Sequence, residues 1–517
     1  MPPSPPSACW PTAASAQAPA ALPSLRLVAA DESLKITTRE ALCCPNIGLW
    51  VAATGGDFRI DLKRPGYGEW QAAQVDTTTG ATLRPIPRRS IAATRGLKDF
   101  ISIRFLDTGG DTVGRRSLTF CPGESQGAER LDDGGPRVPR FQGSCERGFP
   151  FTLGMVWGVT RGWAIPAVLQ GSEFTEFTDI PRRLLAQLPA RNLRRLRALA
   201  RRAPRPIRLE PGRYRVVARI SPTYRRLFEI PAADAHVTLR VRVVRAKARR
   251  EGGGGGGAGG DLVGPMARHS AAAPDSGPLA AQTVPKPAAA TLPDLAALQP
   301  WDLGVRHRKR GDRDILNFAS SPWNAGPAPL VVEGFRRARG RVMDAYQYFF
   351  DAGGEVVGRA RAGAMAFHEA PRHDHWHFLQ LVTYRVLLPN GRTVVRNRKQ
   401  SFCITPTDAV DLTLPRALLT SELAALSLSS CGAPQSIWIR ETLPAGWADT
   451  YVASVPGQSF DITGVPNGRY LVEMRVNPRG ELFEVSTDNN VARRRIVLSG
   501  KPGKRRGRMA AWRGIRQ

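Results

Sequence analysis

The chain has 517 residues, with 74 Lys and Arg against 44 Asp and Glu, and a formal net charge of +30. This length predicts more than one domain, each with room for a hydrophobic core. Only 9 of the basic residues are Lys, so the charge reflects a strong preference for Arg and is a weak guide to function. No apolar run reaches the roughly 18 residues that a membrane-spanning helix needs.

The first 20 residues are a low-complexity segment or the remnant of a secretion signal. They lack the basic and apolar regions of a signal peptide, although Ala14, Ser15 and Ala16 are similar to a cleavage site. Two explanations stay open: a protein without a signal, or a sequence that is truncated at its start.

The chain after this segment is predicted to consist mainly of β-strands. Residues 21–248 and 292–500 contain short runs such as FISIRFL at 100–106 and YLVEMRV at 470–476, bounded by Gly, Pro, Asn or Asp. A basic helix is predicted at 182–203. The EGGGGGGAGG tract opens a flexible Gly/Pro/Ala-rich linker over 249–291, and a basic tail covers 501–517. The pattern predicts two β-sandwich domains joined by that linker.

The two halves share short motifs in the same order, which predicts an internal duplication. GRY recurs at 212–214 and 468–470, and GWA recurs at 162–164 and 446–448. Cys121 and Cys145 correspond in the same way to Cys403 and Cys431. The alternative is two unrelated sandwiches whose turn motifs agree by chance.

The seven cysteines contain no CxxC pair, which gives no support to a zinc ribbon or a thioredoxin-like site. Their wide spacing fits either a reduced cytosolic protein or a few extracellular disulfides. They are Cys9, Cys43, Cys44, Cys121, Cys145, Cys403 and Cys431.

Four of the seven histidines lie in FHEAPRHDHWHF at 367–378. His373, His375 and His377 alternate, so on a strand they face one side and can bind one ion. Imidazole suits copper, zinc or iron, and the pattern alone does not choose among them. His368 is interpreted as a supporting or structural residue. The alternative for the cluster is an exposed or hydrogen-bonded set of histidines.

Two residues further along the chain could supply redox chemistry. Lys399 is one of the few lysines, and its amine can act as a nucleophile, whereas a guanidinium cannot. GWADTY at 446–451 supplies Tyr451, whose ring could be oxidised near a metal. An ordinary solvated lysine would be the alternative if Lys399 stood alone.

Together these segments resemble the catalytic domain of the lysyl oxidase family. The resemblance covers about 200 residues and includes HxHxH, KxSFC, GWxDTY, VNP at 476–478, DNN at 488–490 and FASSPWNAGPAPL at 318–330. It implies that His373, His375 and His377 bind copper(II), and that Lys399 and Tyr451 condense into lysine tyrosylquinone. Asp449 is the candidate catalytic base, with a turn carboxylate as the alternative.

The resemblance also implies a calcium site between the two ends of the domain, and a disulfide between Cys403 and Cys431. Trp447 occupies a position that is usually Cys in the animal enzymes, and Ser486 one that is usually Asp. The expected calcium ligands are hard oxygen atoms of Asp294, Leu295 (carbonyl), Glu484, Asn489 and Asn490.

The function implied by this resemblance is a copper amine oxidase that acts on CH–NH2 groups with O2 as acceptor. Its substrates would be primary amines or protein lysine, and its location secreted or in the cell envelope. The alternatives are an extracellular copper-binding scaffold or adhesion module and, from the charge and the KPGKRRGR tail, binding to nucleic acid or an anionic cell-envelope surface. No specific nucleic-acid partner is expected, because no basic motif is interleaved with aromatic residues.

The first half is expected to be a degenerate, non-catalytic copy that binds no metal. An alignment offset of 278 places the copper triplet on Arg95, Leu97 and Asp99. The offsets at the cysteine, GWA and LPSL motifs place Lys399, Tyr451 and Asp294 on Ser117, Ala167 and Ser24.

Overall fold

The computed structural model describes residues 22–38, 42–43, 47–123, 128–141, 145, 149–167, 207–245, 278–337, 340–369, 375–399, 401–419, 423 and 431–510. The prediction of a mainly β protein built from sandwiched sheets is confirmed. The predicted basic helix at 182–203, the glycine tract and His373 lie outside the described residues. No helix among the described residues is long and apolar enough to cross a membrane.

The first half contains fifteen described strands and one short α-helix, α1 (Pro222–Leu227). The strands are β1 (Ser24–Ala29), β2 (Ser33–Thr38), β3 (Leu42–Cys43), β4 (Leu49–Thr54), β5 (Phe58–Lys63), β6 (Gln71–Val75), β7 (Thr82–Ile86), β8 (Leu97–Leu106), β9 (Thr112–Phe120), β10 (Glu129–Arg130), β11 (Gly154–Val159), β12 (Trp163–Pro166), β13 (Ile207–Arg208), β14 (Gly212–Ile220) and β15 (His236–Arg245).

The second half contains eighteen described strands. They are β16 (Leu295–Ala297), β17 (Trp301–Arg308), β18 (Arg313–Ala319), β19 (Pro322–Asn324), β20 (Leu330–Arg336), β21 (Val342–Phe350), β22 (Val356–His368), β23 (His375–Leu379), β24 (Val382–Leu387), β25 (Thr393–Arg396), β26 (Ser401–Phe402), β27 (Asp408–Ala409), β28 (Trp438–Leu443), β29 (Trp447–Ala448), β30 (Ser459–Asp461), β31 (Gly468–Val476), β32 (Val491–Ser499) and β33 (Arg506–Met509).

Apolar and polar residues alternate along the strands, which determines the face of each strand that packs on the core. In β14, Val216, Ala218 and Ile220 are buried, whereas Arg215 and Arg219 are exposed. Each half therefore packs its inward-facing side chains into a core of its own. A third, smaller apolar cluster contains residues from both halves.

The strand order of the first half recurs in the second. The order β1-β4-β12-β10 corresponds to β16-β19-β29-β27, and β11-β5-β6-β7 corresponds to β28-β20-β21-β22. The order β15-β14-β8-β9 likewise corresponds to β32-β31-β24-β25. This repeated topology supports the duplication that the shared motifs predict.

The second half extends one of these sheets with β23 and β26, which lie beyond β22. In the first half, the residues after β7 form 3-10 turns at Arg88–Ser90 and Ala93–Arg95, where the second half has the beginning of β23. The segment that carries His375 and His377 is therefore one part of the repeat that differs between the halves.

The offset of 278 used to align the histidines is wrong. Asp99 and Gln380 both have a positive φ, 53° and 66°. The pairing of Leu97 with Phe120 also matches that of Phe378 with Phe402. These equivalences give an offset of 281, so the histidine positions fall on Ala92, Thr94 and Gly96 instead of Arg95, Leu97 and Asp99. The corrected positions also carry no imidazole.

Two boundaries differ from the prediction. Residues 278–291, assigned to the flexible linker, pack on the second half: Val284 joins an apolar cluster with Phe349, and the Leu279 amide donates to Glu333 Oε2 at 3.1 Å. Part of the basic tail forms β33, which pairs with β32. Apolar residues scattered through a Pro- and Ala-rich sequence were sufficient for this packing.

Disulfides connect Cys121 to Cys145 and Cys403 to Cys431, each with a Cα–Cα distance of 5.7 Å. The second bridge is the one that the family resemblance implies. The first occupies the corresponding place in the other half.

Candidate active site

Strand β23 orients the two described histidines of the alternating motif. His375 and His377 lie two residues apart on this strand, and their Nε2 atoms are 2.9 Å apart. His377 is 3 % exposed, and its Nδ1 contacts Ser401 Oγ at 3.2 Å. This contact joins the histidine strand to β26, the next strand of the sheet.

The separation of the two Nε2 atoms is compatible with binding to one ion and with a hydrogen bond between the rings. Two nitrogen atoms bound to one ion at about 2.0 Å each are separated by roughly 3 Å, which is close to the observed separation. The described residues contain no group of three or more His, Cys, Asp and Glu side chains that could hold a metal, and His373 lies outside them. His368 is a neighbour of the pair, since its ring centroid is 5.3 Å from that of His377.

Lys399 and Tyr451, 52 residues apart in sequence, meet in the interior. Lys399 Nζ lies 4.0 Å from the centroid of the Tyr451 ring and 5.0 Å from that of Phe402. The Tyr451 hydroxyl donates to the carbonyl oxygen of Cys403 at 2.8 Å. The ring is thus held by the backbone of the same KxSFC segment that supplies the lysine.

Burial changes the pKa of Lys399 and of the neighbouring Asp449. It lowers the pKa of Lys399 to about 8, although the Asp449 carboxylate opposes the shift. It also raises the pKa of Asp449 well above its usual range, and Asp449 is only 2 % exposed. Lys399 Nζ and Asp449 Oδ2 have no hydrogen-bond partner among the described residues. Burial thus disfavours the charged form of each group, while the attraction between the two charges acts in the opposite direction.

The structure adds residues that the sequence patterns did not identify. Glu441 on β28 is 1 % exposed, and burial raises its pKa well above the ordinary value. Its charge also interacts with Asp449. Gly457 has a φ of +83°, and a Cβ there would lie 2.9 Å from Lys399 Cδ. No motif marked either residue, because their relation to the site depends on strand pairing and on a loop contact.

A second polar cluster joins the two ends of the domain. Asp294 Oδ1, Asn489 Oδ1 and Asn490 Oδ1 are buried without a hydrogen-bond partner in the described part of the chain. Glu484 lies beside them: its Oε2 accepts from the Leu295 amide at 3.1 Å, and its Oε1 accepts from Asn490 Nδ2 at 2.7 Å. Burial raises the pKa of Glu484. Unsatisfied buried oxygen atoms fit a hard cation.

The corresponding positions of the first half lack this chemistry. Ser117, which takes the place of Lys399, is exposed and donates to Asp99 Oδ1 at 2.8 Å. Ala167 takes the place of Tyr451 and is buried. Ser24, in the place of Asp294, donates to the Phe228 carbonyl at 2.9 Å. These small residues make framework contacts.

The fold and the site define a β-sandwich protein with a partly buried lysine–tyrosine pair and two adjacent imidazoles. Residues 354–505 match the family model described as lysyl oxidase. The C-terminal region of this chain belongs to the lysyl oxidase family.

The chain is also similar over part of its length to curated lysyl oxidase homologs. It is 30% identical to lysyl oxidase homolog 1 of Homo sapiens over 131 residues, 25% of this chain and 20% of that protein. It is 26% identical to lysyl oxidase homolog 2 of Rattus norvegicus over 192 residues, 37% of this chain and 19% of that protein. The matched region therefore spans about a fifth of the length of these relatives.

Proposed function

We propose that the second half is a copper-dependent amine oxidase. The reaction converts a primary amine, O2 and water into an aldehyde, ammonia and hydrogen peroxide, and peptidyl lysine is one candidate substrate. The observation that carries the proposal is the position of Lys399 Nζ, 4.0 Å from the centroid of the partly buried Tyr451 ring. An amine that stacks on a phenol in this way is placed for covalent addition once the ring is oxidised.

The residues present fit copper and the quinone cofactor. His375 and His377, with His373, would hold copper(II), which with O2 supplies the oxidation that joins Lys399 to Tyr451 as lysine tyrosylquinone. That cofactor supplies the oxidation of the substrate amine, while the protein orients and shields the site.

The side chains of this chain have separate tasks in this proposal. Lys399 presents an amine whose neutral fraction is increased, because burial lowers its pKa to about 8. The Cys403 carbonyl and the Phe402 ring, whose centroid is 4.9 Å from that of Tyr451, limit rotation of the tyrosine. We assign Asp449 as the base: in its ionised form it would take protons from these groups and from the substrate carbon, and its raised pKa makes that carboxylate more basic.

We also propose that calcium binds the cluster of Asp294, Leu295, Glu484, Asn489 and Asn490. The support is the set of three buried oxygen atoms without partners. A cation there would connect the first strand of the domain to the loop before β32 and stabilise the sandwich. Ser486, whose hydroxyl accepts from the Asp488 amide at 3.1 Å, contributes no carboxylate.

A secreted or cell-envelope location belongs to the same proposal. Two disulfides in the described residues support an oxidising compartment. An anionic envelope surface remains a candidate partner for the basic regions.

Intact mass and peptide mapping of copper-loaded, aerated protein test the proposal. The expected product is a peptide in which Lys399 is covalently joined to Tyr451, together with peroxide release over a panel of primary amines. Lys399→Arg is the matched control, because a guanidinium cannot add to an oxidised ring. Copper-loaded protein that forms no cross-link would instead support the alternative, an extracellular copper-binding scaffold.

A further inference from the structure

The first half makes a close contact with the second half near the strands that lead to the proposed active site. The segment that precedes β11 contains Phe149, Phe151 and Leu153. These residues share an apolar cluster with Trp323 and Val410 of the second half. Phe151 and Val410 are fully buried. The contact is apolar and buried, like a hydrophobic core, and it excludes water from both surfaces.

Backbone hydrogen bonds give the contact a fixed register. The amides of Leu153 and Gly154 donate to the Val410 carbonyl at 2.6 and 3.1 Å, and the Leu412 amide donates to the Gly154 carbonyl at 3.2 Å. Thr152 Oγ1 donates to the Ala409 carbonyl at 3.2 Å. Four directional bonds beside an apolar cluster define one orientation of the segment against β27.

The close contact between the backbones of the two halves requires Gly154. A Cβ at Gly154 would lie 1.9 Å from Asp411 Oδ1, a separation at which the Asp411 side chain or the strand must move. Position 438 corresponds to Gly154 in the repeat, since Val159 and Leu443 occupy the ends of equivalent strands, and it is Trp438. The glycine therefore belongs to the contact and not to the shared strand framework.

The contact continues directly to the proposed catalytic residues. Ala409 pairs with Trp447, and Asp408 pairs with Ala448, so β27 lies between the segment 149–154 and β29. The chain leaves β29 directly into Asp449 and Tyr451. His375 and His377 lie on β23, in another sheet. Displacement of β27 is thus expected to move Asp449 and Tyr451 before it moves the histidines.

We propose that the first half is a positioning domain of the enzyme, whose segment 149–154 holds β27 and β29 and so places Asp449 and Tyr451 beside Lys399. This role rests on the proposed amine oxidase function. The docking of the two halves does not, and it can be measured separately.

The first test keeps the full chain and introduces a protease site within residues 251–260. After cleavage, the halves are expected to elute together in size-exclusion chromatography, including at high salt, because the contact is apolar and backbone-mediated. Separation of the halves after cleavage would overturn the proposal.

The second test compares Gly154→Ala and Phe151→Ala with Gly212→Ala, whose Cβ would make only contacts of 3.6 Å or more. Both contact variants are expected to lower the yield of the Lys399–Tyr451 cross-link at least tenfold while copper occupancy is retained. Phe151→Leu, which keeps most of the apolar volume, is expected to restore much of it. Loss of fold in the second half would remove copper as well, so the two readouts separate positioning from unfolding.

Amide hydrogen exchange of residues 447–451 is the readout that does not depend on the cofactor. It is expected to accelerate at least tenfold in Gly154→Ala and to stay unchanged in Gly212→Ala. If the unsubstituted protein forms no cross-link, the proposed function fails while this measurement still tests the positioning role. Unchanged exchange in both contact variants would refute that role.

Discussion

The buried position of Lys399 predicts a specific pH dependence for formation of the cross-link. The ordinary lysine pKa is 10.5, and burial lowers it to about 8. At pH 7 about 9% of the Lys399 amine is then neutral, against about 0.03% for an exposed lysine. Since only the neutral amine is nucleophilic, the local environment raises the reactive fraction roughly 300-fold.

The rate should therefore rise as pH rises through about 8 and become constant above it. Between pH 7 and pH 9 the neutral fraction increases about tenfold, whereas that of an exposed lysine would increase about a hundredfold. Apoprotein is loaded with copper in air at each pH, and cross-linked peptide is quantified over time by mass spectrometry. A rate that keeps rising in proportion to hydroxide through pH 10 would contradict the assignment of a buried Lys399 with a lowered pKa.

Asp449→Asn provides the control for the electrostatic part of this argument. The Asp449 carboxylate raises the pKa of Lys399, so its removal should move the midpoint below about 8. Asp461→Asn changes a half-exposed acid on β30 and should leave the midpoint unchanged. A midpoint that moves upward in Asp449→Asn would show that another group controls the lysine.

Three further predictions concern metal binding and geometry. His377→Ala should lose copper and the cross-link together, as measured by elemental analysis and peptide mapping, because one of the two converging imidazoles is removed; full copper occupancy would refute the ligand assignment. Gly457→Ala should retain copper but slow cross-linking more than tenfold, because its Cβ would lie 2.9 Å from Lys399 Cδ; Gly464→Ala, which would contact nothing within 4 Å, is the control. Calcium at about 100 times its Kd should stabilise the protein by about 2.7 kcal/mol, seen as a higher Tm by calorimetry, and Asn490→Ala should remove most of that gain; an equal gain in the variant would place the ion elsewhere.

The sequence predicted the structure best at residue types that have few roles in proteins. Histidines two residues apart predicted a strand that turns them to one side, and β23 has this geometry for His375 and His377. It was least informative about contacts between distant segments. Gly457 and Glu441 approach the Lys399 region through a loop and through the pairing of β28 with β20, and neither relation has a local sequence signal.

The wrong offset in the first half has a related cause. Motif matching aligned DF at 99–100 with HF at 377–378, but strand pairing places Leu97 where Phe378 lies. A shift of three residues is invisible to a short motif, whereas it reverses which side chains face the core. In the corrected register, the 3-10 turn at Ala93–Arg95 replaces the part of β23 that carries the histidines. Replacement of the ligand-bearing segment by a turn, with the disulfide and the shared sheet orders retained, fits a domain kept for its packing surface, and the contact at Gly154 identifies one such surface.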